Sequence, residues 1–195
     1  MFNKEADFEN ALIALLSTKS WEKEVLRYPT EEKLIANWQE HLNKTNQHID
    51  KLDVPLLRTE MNQILEQVQA LKTPYALNGF INGKTVAIKR ENEKSRHFGK
   101  EVSLDIFDRE EISAGKSRYQ IAQQPQFTPR SDLYPKQRGD LMLLINGMPM
   151  FHIELKRSGV PISQATYQIE RYHKAGAFSG IFSLVQVFVA MTPEE

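Results

Sequence analysis

The chain has no cysteine, so neither a disulfide framework nor a thiolate metal site can be built from it. No run of about 18 apolar residues is present, which removes a membrane-spanning helix. No glycine-rich loop of the Walker type is present either, which removes ATP hydrolysis from this stretch of sequence. The five histidines are scattered, with no pair at the spacing a zinc site uses. An excess of one charge is also missing: 25 basic and 25 acidic residues balance, so attraction to a polyanion must come from local clustering. The opening residues, Met1-Phe2-Asn3-Lys4-Glu5, lack the apolar core of a signal peptide. These absences lead to the expectation of a soluble, cytoplasmic protein with no membrane partner.

What is there is a chain of 195 residues, 41% hydrophobic, long enough for one sizeable core and read as a single domain over 1–195. An apolar strand pattern at 184–190 stands just before the last residue, Glu195. A central strand so near the end suggests a piece of a longer polypeptide.

Helical spacing comes first along the chain. Residues 3–18 read as a helix capped by Asn3, with Phe8, Leu12, Leu15 and Leu16 as its core face. A second helix follows Pro29, capped by Thr30, with Leu34, Trp38 and Leu42 on one stripe; a third starts near Pro55 and presents Met61, Ile64, Leu65, Val68 and Leu71. Alternation then replaces the helical period, with strands expected at 84–89, 101–107 and 118–122. Later, a helix over 163–174 stopped by Gly176 precedes the strand at 184–190. Strand, helix and apolar strand in that order make a parallel crossover. The expected fold is α/β: a mixed sheet, an antiparallel meander feeding a parallel strand, flanked by helices.

The most informative stretch runs from Asp140 to Lys156. Asp140-Leu141-Met142-Leu143-Leu144-Ile145, then Asn146-Gly147, then an alternating segment to Lys156, reads as a hairpin. Alternation puts Phe151, Ile153 and Leu155 on one face and His152, Glu154 and Lys156 on the other. A strict two-residue turn with no irregularity would place Asp140 on the face opposite Glu154. An odd-length loop or a compensating bulge is therefore expected; a three-residue loop with left-handed Gly147 would pair Asp140 with His152 and bring Asp140, Glu154 and Lys156 to one face.

Opposed or diagonal carboxylates on one face, about 5–8 Å apart at Cβ, can share a small divalent ion, with the Leu155 carbonyl as a third oxygen ligand. Magnesium so held serves phosphodiester hydrolysis, and Lys156 can hold the attacking water or offset charge on the phosphate. His152 shares the face without a partner histidine and reads as a substrate-contacting or structural residue rather than a metal ligand. Lys89, Arg90, Arg130, Lys136 and Arg138 are candidates for a phosphate track leading to Asp140.

The run from Asp140 to Lys156, with its Ile145-Asn146-Gly147-Met148-Pro149 turn, resembles the PD-(D/E)xK nuclease motif near the N-terminus of type I restriction enzyme R subunits. Gln168-Ile169-Glu170-Arg171-Tyr172 resembles that family's Q-x-x-x-Y motif, and the stretch from Glu5 to Ile13 its first helix. Met148 and Met150 stand where the family has leucines, and residues 20–80 match only loosely. The resemblance implies a restriction-endonuclease-like fold and a DNA endonuclease domain. Asp140, Glu154 and Lys156 would be its catalytic trio, Mg2+ its cofactor and Mn2+ a substitute. It also implies a supporting role for Glu9, or Glu5 in its place, and for Gln168 and Tyr172, which would contact DNA or brace the ligands. The expected partners are double-stranded DNA and, through a longer chain, the modification and specificity subunits; ATP would belong to a motor region outside these residues. A non-catalytic DNA-anchoring module with the same fold, or a repair nuclease of the same superfamily, are the alternatives.

Overall fold

The computed structural model describes residues 2–71, 73–81, 85–106, 115, 117–128 and 135–194. They fall into two compact units, Met1–Leu34 with Arg118–Glu195, and Ile35–Ser117.

The first unit is built on a five-stranded mixed sheet of order β1-β4-β7-β8-β9. Its strands are β1 (Val25–Arg27), β4 (Tyr119–Gln123), β7 (Leu141–Ile145), β8 (Met148–Leu155) and β9 (Val187–Met191). β7 is antiparallel to both β4 and β8, while β9 runs parallel to β8 and β1 parallel to β4. The antiparallel meander feeding a parallel strand is thus present, joined by the helix Ser163–Lys174 (α5). Gly176, at φ 75°, ends that helix as a left-handed residue. A two-stranded ribbon, β5 (Gln126–Phe127) with β6 (Gln137–Arg138), continues β4 and β7 past the sheet. The three-residue β1 and the two-residue β5 and β6 are too short for a period to reveal.

One face of this sheet carries Ile121, Leu141, Leu143, Ile153 and Leu155, packed with Phe8 and Leu12 of α1 (Glu5–Ser17). Leu15 departs from the expected core face and is exposed, the buried positions of the helix being Phe8, Glu9 and Leu12, all N-terminal to it. Asn3 is not the cap: the helix begins one residue later, with extended Lys4 at the N-cap and no side-chain hydrogen bond there. The other face of the sheet carries Ala122, Met142, Leu144, His152 and Glu154, all buried.

The second unit comprises the continuation of α2 (Glu31–Thr45), α3 (Arg58–Ala70), α4 (Pro74–Ile81) and a hairpin of β2 (Thr85–Lys89) with β3 (Glu101–Asp105). Val86, Ile88, Val102 and Leu104 are its buried strand residues, on alternating positions. The strands expected at 84–89 and 101–107 therefore pair with each other and form a separate sheet rather than extending the meander. Residues 84 and 107 of those expectations lie outside the described residues. Arg90, expected on a phosphate track, is instead fully buried and ion-paired with Glu60 at 2.8 Å; Arg130 lies outside the described residues. Among the described residues no helix is long and apolar enough to cross a membrane.

Candidate active site

The site depends on how the β7–β8 hairpin counts its residues. Asn146 (φ 52°) and Gly147 (φ 82°) are both left-handed, as a two-residue hairpin turn of type I′ requires, and Ile145 pairs with Met148. The expected three-residue loop is therefore absent: Asn tolerates positive φ, and its side chain accepts a hydrogen bond from the Arg118 N–H at 2.8 Å. The compensating bulge lies farther along. Leu144 pairs with Pro149 and Leu143 with Phe151, which leaves Met150 as the extra residue. Past it Met142 faces His152 and Leu141 faces Ile153. One more step sets Asp140 across from Glu154, not from His152, and on the same face.

Asp140 is fixed by two hydrogen bonds: its Oδ2 accepts the Leu155 N–H, and its carbonyl accepts the Gln124 N–H, each at 2.7 Å. Glu154 is fully buried, and neither carboxyl oxygen meets hydrogen-bond geometry with a partner. Its Oε1 lies 3.7 Å from Lys156 Nζ and its Oε2 3.3 Å from His152 Nε2. Lys156 donates to the Leu155 carbonyl at 2.8 Å and stands 3.8 Å from Glu5. Glu9, also buried, accepts from Gln124 Nε2 at 3.1 Å. The structure thus gathers Asp140, Glu154, Lys156 and the Leu155 carbonyl, with Glu5 near Lys156 and Glu9 joined through Gln124.

The electrostatics follow from this crowding. Burial, followed by the charge of Glu154, pushes the Asp140 carboxyl up to about 7. Burial likewise pushes Glu154 up to about 7, against the pull of Lys156. A buried and a half-buried carboxyl on facing residues ionise together only at high cost unless a cation joins them. Among the described residues no group of three or more His, Asp or Glu side chains forms a complete metal cage. The donor set is two carboxylates and a carbonyl, which suits magnesium, an ion that keeps several waters.

A second tier holds this face in place. Gln168 Nε2 donates to the Tyr172 hydroxyl at 2.6 Å, and that hydroxyl donates to the Arg138 carbonyl at 2.7 Å, two residues before Asp140. Burial, then the Glu154 charge, pushes the Tyr172 phenol up to about 12. Gln168 also lines a cleft of about 320 Å³ with Lys156, Gln164, Tyr167 and Arg171. His152 does not reach a surface where it could touch DNA: it is fully buried among Phe127, Tyr172, Phe178 and Phe188. Burial depresses its pKa to about 4, so it is a neutral packing element under Glu154.

Sequence reasoning missed Gln124 and Gly139. Gln124 is left-handed (φ 52°) and ties Asp140 to Glu9; only the following Pro125 hinted at an irregular backbone. Gly139 is needed because an added Cβ would collide with His152 Cε1 and come within 3.2 Å of Phe127 Cζ. Gly139→Ala is expected to destabilise the chain by about 1–3 kcal/mol, the usual range for overpacking. Urea unfolding measures this, and an unchanged midpoint would contradict the close packing.

A mixed sheet flanked by helices, with one buried acid, one half-buried acid and a lysine gathered on a bulged hairpin, is restriction-endonuclease-like. The family model described as the type I restriction enzyme R protein N terminus matches residues 3–195. The chain belongs to that family. It is 29% identical over 189 residues to the type I restriction enzyme SauMSSORF170P endonuclease subunit of Staphylococcus aureus (strain MSSA476), covering 96% of this chain and 18% of the relative. It is 30% identical over 190 residues to the SsaAORF53P endonuclease subunit of Staphylococcus saprophyticus, covering 97% and 18%. Over 54 residues it is 44% identical to the EcoprrI endonuclease subunit of Escherichia coli, covering 27% and 17%. The chain therefore spans about a fifth of the length of these relatives.

Proposed function

We propose that this chain is the DNA-cutting domain of a type I restriction enzyme R subunit and hydrolyses phosphodiester bonds of double-stranded DNA with a divalent cation. The single observation that carries this reading is Glu154 beside Asp140: a carboxylate with no solvent access whose oxygens lie 3.3 Å from His152 and 3.7 Å from Lys156 without meeting hydrogen-bond geometry with either. Native structures rarely leave such atoms unsatisfied, and a cation answers both the missing partners and the mutual repulsion. Relatives named as endonuclease subunits over nearly the whole chain support it.

In this reading Asp140, Glu154 and the Leu155 carbonyl hold Mg2+, with Mn2+ a substitute. Such a cation supplies Lewis acidity that offsets charge developing on the phosphate. Lys156 swings from the Leu155 carbonyl to the substrate, where its ammonium orients the attacking water or neutralises a phosphate oxygen. Glu9 orders Gln124 and, through its backbone, Asp140; Glu5 is the alternative acid because of its approach to Lys156. Gln168 and Tyr172 brace the Asp140 segment through the Arg138 carbonyl. Double-stranded DNA is the substrate. The modification and specificity subunits are partners, ATP serves a motor region elsewhere in the full-length protein, and the complex works in the cytoplasm. A non-catalytic anchoring module has no use for two acids whose ionisation destabilises the fold.

Cation dependence tests the reading. At about pH 8, millimolar Mg2+ or Mn2+ is expected to raise the melting temperature of the chain by several degrees, following the mass action of a ligand that binds only the folded state. Cleavage by the full-length protein should disappear on chelation and return with Mg2+. A melting temperature indifferent to divalent cations, with cleavage surviving chelation, would remove the proposal.

A further inference from the structure

A groove in the sheet-bearing unit encloses about 690 Å³ beside the β5–β6 ribbon, within the about 300–1,000 Å³ typical of ligand clefts. It is not the acid pair itself but adjoins it. Its floor is Phe127, whose ring also touches His152 and Tyr172. Its wall includes Arg138, two residues before Asp140, whose carbonyl receives the Tyr172 hydroxyl. Two exposed cations, Lys136 and Arg138, line it against a single acid among the described lining residues, Glu32. Neither cation is held in an ion pair among the described residues.

Tyr28, half-exposed and left-handed at φ 51°, also lines the groove. A bulky aromatic residue rarely adopts that conformation, and it persists only where the surroundings enforce it. Here they do: the Tyr28 N–H donates to the Gln123 carbonyl at 2.8 Å, and Gln126 Nε2 donates to the Tyr28 carbonyl at 3.1 Å. The backbone is thus pinned at both ends to β4 and β5, while the ring is left on the groove. The buried Oε1 of Gln137, also in the lining, has no hydrogen-bond partner among the described residues. An aromatic platform, two exposed cations and a buried amide oxygen without a partner among the described residues are the groups that a strand of nucleic acid uses: stacking for a base, charge for phosphates and an acceptor for an amino group.

Resting on the function proposed above, we infer that this groove holds the DNA strand next to the scissile phosphate, with Tyr28 stacked on a base and Lys136 and Arg138 on consecutive phosphates. The strand then passes from the ribbon to Asp140 along the chain direction of β6. This gives the domain its own grip on DNA despite its zero net charge.

The test uses the full-length protein assembled with its partner subunits. With DNA carrying 5-iodouracil near the cleaved region, irradiation should crosslink the wild type at Tyr28, and Tyr28→Ala should lose that crosslink. Lys136→Ala with Arg138→Ala should slow cleavage about tenfold at moderate salt and flatten the dependence of log rate on log salt by about 2. Tyr28→Ala should slow it about tenfold without changing that slope. No crosslink at Tyr28, or an unchanged salt slope in the double variant, would overturn the groove assignment. The Asp140→Asn protein separates this from the parent reading: it should still crosslink at Tyr28 while failing to cut, and continued cutting would overturn the nuclease assignment instead.

Discussion

Glu154→Gln is expected to abolish DNA cleavage while making the metal-free chain more stable at neutral and alkaline pH. The substitution keeps the shape of the side chain and removes only its ability to carry charge. Loss of one preorganised electrostatic group in a water-poor site costs on the order of a thousandfold in rate, and loss of a cation ligand is expected to cost at least that. The stability gain has the opposite origin. The folded-state values of Asp140 and Glu154, each about 7, lie above their ordinary values of 3.8 and 4.5. The folded chain therefore binds more protons than the unfolded chain between about pH 4 and pH 7. Stability is fully present below that window and falls as pH rises through it, by about 1.4 kcal/mol per pH unit for each extra proton. The glutamine variant lacks the Glu154 share of this loss. It should exceed the wild type by roughly 2–3 kcal/mol near pH 8 and match it near pH 4. Melting curves at both pH values without divalent cations, together with a cleavage assay, check the two halves. Equal pH dependence in both proteins would show that Glu154 is not a strained acid.

Glu60→Ala should have the largest effect on folding, in the second unit. Glu60 and Arg90 are both fully buried, joined at 2.8 Å. Glu60 Oε2 also accepts the Leu57 N–H at the start of α3, and Oε1 accepts the N–H groups of Glu91 and Asn92. Arg90 in turn donates to the Val54 carbonyl at 2.8 Å. One carboxylate thus closes the α3 N-terminus and the end of β2 at once. Removing it leaves a guanidinium buried without its counter-charge and orphans three backbone donors, a loss of about 3–5 kcal/mol. A double change to apolar residues, Glu60→Leu with Arg90→Met, should lose much less, because no charge is stranded. Denaturant titration of the single and double variants distinguishes a clamp from an ordinary surface pair.

The elements legible in the sequence were those whose signal is local. The alternation from Phe151 to Lys156 assigned faces correctly, and the helix at Ser163–Lys174 with its Gly176 stop appears with the bounds read from spacing alone. That Asp140 and Glu154 share a face was also legible, because only an irregularity could reconcile an Asn-Gly turn with one active face. Where the irregularity falls was not: a bulge at Met150 is set by how β7 pairs along its length, and Met150 looks like any other apolar strand residue. Arg90 misled for a similar reason. Next to Lys89 it reads as surface charge, and its partner Glu60 is distant in sequence. Gln124 and Gly139 carry no motif, since their roles are a backbone angle and a space beside His152.

The extra residue at Met150 makes the hairpin a parity device. Every side chain from Phe151 onward owes its orientation to that one uneven count. Shortening this segment by one residue would turn Glu154 and Lys156 toward Phe8 and Leu12, and Ile153 and Leu155 toward the aromatic cluster. Viable descendants of this sequence should accordingly change length between the turn and Glu154 only in steps of two.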